Sequence, residues 1–209
     1  MVRLKGDEMP RLTEFNPDTH TYKIDGREVP SVTQIIAETI GISWAADEWY
    51  LNRGKVVHKY AALIAQGKSF EPPDERIAGR VAAIQGWYAE HKPDNSIVES
   101  QVFSLRYRFA GTFDLAAYIA DAPYLIDWKS SGDIERTRLQ LAGYAIAWGD
   151  KSPRLRGFEV ILRDDGTYKM SEPLELISAR REFLALRAVY GIKERLGVLT
   201  KKGNGNGRD

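Results

Sequence analysis

Two carboxylates and a lysine stand close together near the middle of the chain. Asp114 follows a Gly-Thr-Phe segment, and Asp127 and Lys129 flank Trp128 shortly after it. Both segments are rich in β-branched, aromatic and small apolar residues, which predicts two antiparallel strands joined by a turn at residues 121–123. Because side chains alternate along a strand, Asp127 and Lys129 share one face, and Asp114 meets Asp127 if the register places them opposite.

Two carboxylates held this close repel each other unless a cation lies between them. Hard oxygen ligands of this kind suit Mg²⁺ or Mn²⁺. An exposed ion pair at a strand edge is the alternative interpretation of Asp127 and Lys129, and such pairs contribute little energy. The apolar run Tyr124–Ile126, followed by Trp128, favours instead a strand buried on both faces, in which charges need partners or a metal.

Two helices carry further polar side chains. Gln140 and Tyr144 are four residues apart and therefore lie on one helix face, where a polar surface stripe is the alternative. His58 shares a helix face with small residues, which leaves room beside the imidazole for a metal. A hydrogen-bonded histidine at a helix interface is the alternative for His58. His20 and His91 match no motif and are expected to be structural or exposed.

The order of these residues resembles the RecB-like branch of the PD-(D/E)xK nucleases, including its phage-type exonucleases. The resemblance covers about residues 31–165, and Tyr22, Gly26 and residues 29–33 are similar to the opening of phage-encoded members. The matching positions are His58, Glu99, Gly111 with Asp114, Asp127 with Lys129, and Gln140 with Tyr144. The resemblance implies an α/β fold with a restriction-endonuclease-like core, in which a mixed sheet of α-β-β-β-α-β order is flanked by helices.

The same resemblance implies a Mg²⁺- or Mn²⁺-dependent deoxyribonuclease, of the exonuclease type, that acts on DNA ends or single strands in phage-type replication, recombination or repair. One or two ions would be held by Asp114, Asp127, the backbone carbonyl of Trp128 and His58, with Glu99 as a weaker candidate. Lys129, Gln140 and Tyr144 would complete the catalytic set. Some relatives hold an iron–sulfur cluster through cysteines, but this chain has no Cys, so no cluster is expected.

Two other classes of function stay open on the sequence. A catalytically silent DNA-binding or recombination accessory protein could keep a nuclease fold, although the intact set of Asp114, Asp127 and Lys129 argues against it. Another metal-dependent hydrolase, such as a small-phosphate phosphatase, would leave Gln140 and Tyr144 unexplained. The resemblance also suggests a phage recombination or single-strand-binding protein as a partner besides DNA.

Composition bounds the remaining expectations. The 209 residues suit one domain over 1–200, with 1–95 as the hairpin and helical part, 96–165 as the core and 174–196 as a C-terminal helix, followed by a flexible tail at 201–209.

No membrane span or signal peptide is apparent, which predicts a soluble protein of the bacterial or phage-infected cytoplasm. Because 30 basic residues face 29 acidic ones, DNA must meet a local basic patch. Candidates are Arg76, Arg80, Arg106, Arg108, Arg136 and Arg138.

Local patterns predict the remaining elements. A β-hairpin is expected at residues 20–24 and 27–29, turning at Asp25-Gly26, and Ser31 with Gln34 forms a capping box that opens a short helix. Helices are predicted at 44–66, 74–91, 134–148 and 174–196, and strands at 97–108, 112–119, 123–129 and 156–163.

Four aromatic residues on the predicted helices are possible stacking platforms for bases, although core packing is expected for most of them: Trp44, Trp49, Tyr50 and Trp87.

Overall fold

The computed structural model describes residues 12–41, 48–149 and 152–200, with only the backbone described at 48–52. Three short strands and three helices precede the main sheet, and a long helix ends the described chain. The strands are β1 (Thr13–Asn16), β2 (Thr21–Ile24), β3 (Arg27–Val29), β4 (Asp94–Ser104), β5 (Phe109–Ile119), β6 (Ala122–Lys129), β7 (Arg156–Leu162), β8 (Tyr168–Met170) and β9 (Leu174–Glu175). The helices are α1 (Val32–Ile40), α2 (Glu48–Ala65), α3 (Glu75–His91), α4 (Ile134–Trp148) and α5 (Ile177–Leu196).

The main sheet is mixed and lies between two layers of helices. Its strand order is β4-β5-β6-β7-β8, with β9 paired to β7. Only β6 and β7 run parallel, and α4 provides the crossover connection that a parallel pair needs. The elements from α3 to β7 therefore follow the predicted α-β-β-β-α-β order.

Strand β6 lies at the centre of this sheet and is buried on both faces, as its apolar run predicted. Leu125 packs in the core formed with α1, α4 and α5. Ile126 and Trp128 pack in the opposite core with α2 and α3. The two layers therefore hold Asp127, between Ile126 and Trp128, at a defined height and on a defined face.

The first three strands form a small antiparallel sheet in the order β1-β2-β3, and this sheet is called the N-terminal hairpin below. Strands β2 and β3 turn at Asp25 and Gly26, both with positive φ, which confirms the primed turn predicted there. Strand β1 was not predicted. The capping box at α1 is also confirmed, because the backbone N–H of Gln34 donates to Ser31 Oγ and the N–H of Ser31 donates to Gln34 Oε1.

The first hairpin of the main sheet turns where the sequence predicted continuous strand. Strand β4 ends at Ser104, and residues 105–108 form the turn into β5, which begins three residues earlier than predicted. This segment has no Gly or Pro to signal a turn. Arg108 instead takes a φ of 55° and is held there by bonds to Asp25 and to the carbonyl of Ile24.

The turn between β5 and β6 begins one residue earlier than predicted. Ala120 and Asp121 form this turn, with φ values of 48° and 63°, and Pro123 already pairs with Tyr118.

The final helix begins at Ile177 rather than residue 174, because residues 174–175 pair with β7. The predicted start of the second helix at residue 44 and the tail at 201–209 lie outside the described residues. Within the described ranges, no helix combines the length and apolar composition needed to span a membrane.

Two glycines of α3 should respond in opposite ways to replacement by alanine. A Cβ at Gly79 would lie 1.8 Å from the backbone oxygen of Asp164, whereas a Cβ at Gly86 would meet no atom within 4 Å. Gly79→Ala must therefore push α3 away from the turn after β7 and should lower the free energy of unfolding by about 1–3 kcal/mol or more. Gly86→Ala should raise it by about 0.5–1 kcal/mol, since alanine loses less backbone entropy in a helix. Urea unfolding of both variants tests this, and equal shifts would contradict the close approach at Gly79.

Candidate active site

The pairing of β5 with β6 brings Asp114 to Asp127. Leu115 pairs with Ile126, so the next position in the same antiparallel register places Asp114 opposite Asp127. Asp114 Oδ2 accepts a hydrogen bond of 2.9 Å from the backbone N–H of Trp128. Both carboxylates are enclosed, with side chains 9% and 2% exposed. The two strands thus deliver two acidic groups to one end of the sheet.

Helix α2 adds an imidazole and β4 adds a third carboxylate. His58 Nδ1 lies 3.2 Å from Asp114 Oδ1 and 3.7 Å from Glu99 Oε1. One ligand atom from each of His58, Glu99 and Asp114 lies within 4.8 Å of the other two. This is a three-ligand cluster built by three separate elements.

The backbone at Glu99 departs from strand geometry. Its φ is 46°, and the paired residues on either side of it, Val98 with Leu115 and Ser100 with Phe113, place it across from Asp114. A non-glycine residue in this region costs roughly 1–3 kcal/mol, and such residues concentrate at functional sites. The local distortion accompanies the placement of Glu99 in the cluster.

A second network joins Asp127 and Lys129 to α4. Lys129 Nζ lies 2.7 Å from Asp127 Oδ2 and donates to Gln140 Oε1 at 3.1 Å. Gln140 Nε2 donates to Asp127 Oδ1 at 2.8 Å and to the Tyr144 hydroxyl at 3.0 Å. Gln140 therefore contacts both charged partners and fixes the lysine relative to the aspartate.

Gly111 has a steric reason for its place in this arrangement. A Cβ there would lie 2.6 Å from Cε1 of Tyr144. The absence of a side chain lets the Tyr144 ring lie against β5, where it is 5% exposed. Burial raises the pKa of Tyr144 far above its usual range, so the hydroxyl stays protonated.

Electrostatic coupling within the cluster favours proton binding in the absence of a cation. Burial lowers the pKa of His58, but the charges of Asp114 and Glu99 outweigh it and raise the pKa to about 9. Burial and the charge of Asp114 raise the pKa of Glu99 to about 7. Burial raises the pKa of Asp127 to about 6 although Lys129 opposes it. Burial also acts to raise the pKa of Asp114, but His58 and Lys129 lower it overall.

These shifts predict that the metal-free protein loses stability as the pH rises. His58, Glu99 and Asp127 all have folded-state pKa values above their ordinary values of 6.5, 4.5 and 3.8. The folded state therefore binds more protons than the unfolded state, and this contribution is lost as the pH rises through about 6, 7 and 9 in turn. Urea unfolding in chelator at several pH values measures the decline. His58→Ala should flatten it above pH 6.5, and a wild-type stability that is flat or rising over this range would contradict the coupling.

The donor set fits a divalent cation. Two carboxylates and one imidazole are suitable ligands for Mn²⁺, and the carboxylates suit Mg²⁺. Asp127 is adjacent, although its two oxygens are engaged by Gln140 and Lys129. The carbonyl of Trp128 stays a predicted ligand.

The cluster opens into a cavity of about 520 Å³. It is lined by the cluster, by Lys129, Gln140 and Tyr144, and by residues without a predicted role: Phe15, Pro17, His20, Lys55, Lys59, Ala62, Gln101 and Thr112. Lys55 lies three residues before His58, so helical spacing relative to His58 was a usable signal for Lys55. Lys59 lies four residues after Lys55, so the same spacing relative to Lys55 applies to Lys59. No local pattern could have placed the N-terminal hairpin at this cavity.

The six arginines predicted to contact DNA lie in different surroundings. Arg76 pairs with Asp74, Arg108 with Asp25, Arg138 with Glu135 and Glu182, and Arg106 lies over the Tyr107 ring. Arg80 is 8% exposed and pairs with Asp164, beside a small space that Lys129 also lines. The positive charge of Arg136 acts on both Lys129 and Asp127. Arg80 and Arg136 are therefore the two arginines of this set that the structure brings near the candidate site.

Of the predicted aromatic platforms, the side chain of Trp87 is the one within the described residues. Trp87 is fully buried and packs edge-on against Trp128 at 5.1 Å, which is the core role expected for most of them. Trp44 and the side chains of Trp49 and Tyr50 lie outside the described residues.

Comparison with known proteins gives weak structural likeness only. No family model matches the chain, and no curated protein does. Among solved structures, LHK-Exo in complex with dAMP is 14% identical, with a TM-score of 0.39, over 81% of this chain and 93% of that one. An alkaline exonuclease (LHK-Exo) from Laribacter hongkongensis is 14% identical, with a TM-score of 0.37, over 80% and 92% of the two chains.

Proposed function

We propose that this protein is a divalent-metal-dependent deoxyribonuclease of the PD-(D/E)xK kind that removes nucleotides from DNA ends or single strands. One observation carries the proposal: the three-ligand cluster and the Asp127–Lys129–Gln140 network line the same cavity. An ion-binding group beside a fixed lysine is suited to the hydrolysis of a phosphodiester.

The cluster and the lysine have separate roles in this proposal. His58, Glu99 and Asp114 would hold Mg²⁺ or Mn²⁺, with Asp127 adjacent. When bound, such an ion lowers the pKa of a coordinated water and neutralises phosphate charge. Lys129, oriented by Asp127 and Gln140, places a positive charge at the cavity wall, where it positions the attacking water or stabilises charge that develops on the phosphate.

Tyr144 and Gln140 act on the substrate indirectly. Gln140 is 6% exposed and has each of its polar atoms bonded within the network, so its contribution is to hold Asp127 and Lys129 at a constant separation. The Tyr144 hydroxyl supports Gln140 by accepting a hydrogen bond from its Nε2. Both are positioning residues for the reaction.

Digestion of end-labelled DNA tests this function. The substrates are linear single strands, linear duplexes and closed circles, each with Mg²⁺, with Mn²⁺ or with chelator. The proposal predicts cleavage of linear DNA that depends on the ion, with mononucleotides or short products from the ends and with circles resistant. Hydrolysis of p-nitrophenyl phosphate without DNA cleavage would favour a phosphatase. Metal-independent DNA binding without any cleavage would favour an accessory protein.

A further inference from the structure

The N-terminal hairpin forms one wall of the cavity that holds the candidate active site. Phe15, Pro17 and His20 line this cavity together with His58, Asp114 and Lys129. The hairpin is distant in sequence from every residue of the proposed catalytic set. Its side chains can therefore contribute to substrate binding without belonging to the metal cluster.

Two aromatic rings stand on this wall at right angles, so a base that stacks on one ring meets the edge of the other. Phe15 is partly buried and His20 is exposed, and their ring centroids are 5.3 Å apart at an interplanar angle of 89°. Phe15 also stacks on Tyr22 at 4.8 Å, which supports it from within the hairpin. His20 ends the turn between β1 and β2 with a φ of 50°, a conformation that histidine adopts more often than most non-glycine residues.

The wall is anchored to the strand that carries Asp114. The Tyr22 hydroxyl lies 2.9 Å from Thr112 Oγ1 and 3.1 Å from His20 Nε2. Thr112 precedes Asp114 by two positions, and the Ala110 N–H on the same strand donates to the carbonyl of Pro30. The distance between the aromatic wall and the metal cluster is therefore constrained by several hydrogen bonds.

The helix that carries His58 contributes positive charge to the same cavity. Lys55 and Lys59 are exposed on α2 and line the cavity with His58. Among the residues that the structure describes, neither lysine forms an ion pair with a carboxylate. The cavity thus combines aromatic surface with exposed ammonium groups, which suits a chain that alternates planar bases with phosphates.

The cavity is comparable in size with known ligand pockets. A volume of about 520 Å³ falls within the range of small-molecule pockets, roughly 300–1,000 Å³. A space of that size holds a short stretch of one strand. Bases of a single strand are free to stack on aromatic side chains.

We propose that Phe15 and His20 form a stacking wall that binds the base of the nucleotide next to the scissile phosphate, so that the substrate is single-stranded DNA or an unpaired end. This inference rests on the nuclease function proposed above. Stacking is available to every base, so the wall tolerates any sequence. Lys55 and Lys59 bind the neighbouring phosphates.

A comparison of base-bearing and abasic single strands tests the wall. The substrates are oligothymidylate and an oligomer of the same length whose residues are abasic deoxyribose analogues. Wild type should cleave the base-bearing strand with a kcat/KM about 5- to 150-fold higher, the range expected for one stacked base. Phe15→Leu, which keeps apolar packing on Tyr22 but removes the ring, should lose most of this preference. His20→Ala should lose part of it, and Tyr118→Leu, at an exposed ring that does not line the cavity, should lose none.

The same two strands, labelled with a fluorophore, give a readout that does not need cleavage. Anisotropy titrations in Ca²⁺ should show tighter binding of the base-bearing strand by wild type than by Phe15→Leu. Equal cleavage and equal binding of the two strands by wild type, or a preference that survives in Phe15→Leu, would overturn the stacking wall. If wild type cleaves neither strand but binds the base-bearing one through Phe15, the wall stands and the nuclease proposal fails.

Discussion

Replacement of Asp114 by asparagine is expected to lower the rate of DNA cleavage by at least about 100-fold. Replacing partners that only orient metal ligands already costs roughly 10- to 100-fold in metal affinity or activity, and Asp114 is the most enclosed member of the three-ligand cluster. Asparagine keeps an oxygen that can accept the N–H of Trp128, so the strand pairing should survive. Initial rates on a labelled single strand, at several Mn²⁺ concentrations, measure the effect.

The matched control for this substitution is Asp94→Asn. Asp94 is an exposed aspartate of β4, the strand that also carries Glu99. Its loss removes one negative charge from the same sheet without touching the cluster, and cleavage should stay within about twofold of wild type. If Asp114→Asn cleaves at the wild-type rate, at the metal concentration used for wild type, Asp114 does not belong to the active site.

Replacement of Lys129 by methionine should also lower the rate of cleavage by at least about 100-fold, but by a different route. The loss of one preorganised donor that stabilises transition-state charge typically costs 10²- to 10³-fold in kcat. The three atoms of the metal cluster belong to other residues, so Lys129→Met should still bind Mn²⁺. Without the lysine, Asp127 loses the strongest influence that lowers its pKa, and this carboxyl should then titrate at higher pH.

Parallel assays separate a chemical role of Lys129 from a structural one. The cleavage rate is measured at saturating Mn²⁺, and metal affinity is measured by titration calorimetry on the same preparation. Lys169→Met, at an exposed position on β8, serves as the control for a lysine lost from the same sheet. Cleavage retained by Lys129→Met would contradict the proposed role. Metal affinity and cleavage lost together would show that Lys129 builds the site without taking part in the chemistry.

Much of the main sheet was predictable because its signals are local. Alternation along β6 correctly assigned Asp127 and Lys129 to the face opposite Ile126 and Trp128. Helix α4 begins and ends at the predicted residues, because a capping aspartate precedes it and Gly149 follows it. The spacing of Gln140 and Tyr144 likewise put both side chains in one network.

The missed features depend on contacts between distant parts of the chain. The turn at residues 105–108 is stabilised by Arg108 reaching Asp25, and no turn residue marks it locally. Glu99 was predicted as a weaker metal candidate, but the unusual backbone angle that accompanies its place in the cluster is not revealed by residue type. The place of the N-terminal hairpin is decided by bonds such as that of Tyr22 to Thr112, and these form only when the whole fold assembles.

The proposed chemistry depends on a divalent cation at the three-ligand cluster, and electron paramagnetic resonance of Mn²⁺ tests for such an ion most directly. The purified protein is freed of metal with chelator and titrated with Mn²⁺ at neutral pH, and the signal of the free ion is followed. The three-ligand cluster predicts that wild type removes free Mn²⁺ from solution with saturable stoichiometry, that His58→Ala binds more weakly, and that Asp114→Asn shows little binding. A free-ion signal that rises identically with wild type, with both variants and with buffer alone would contradict a divalent cation at this cluster.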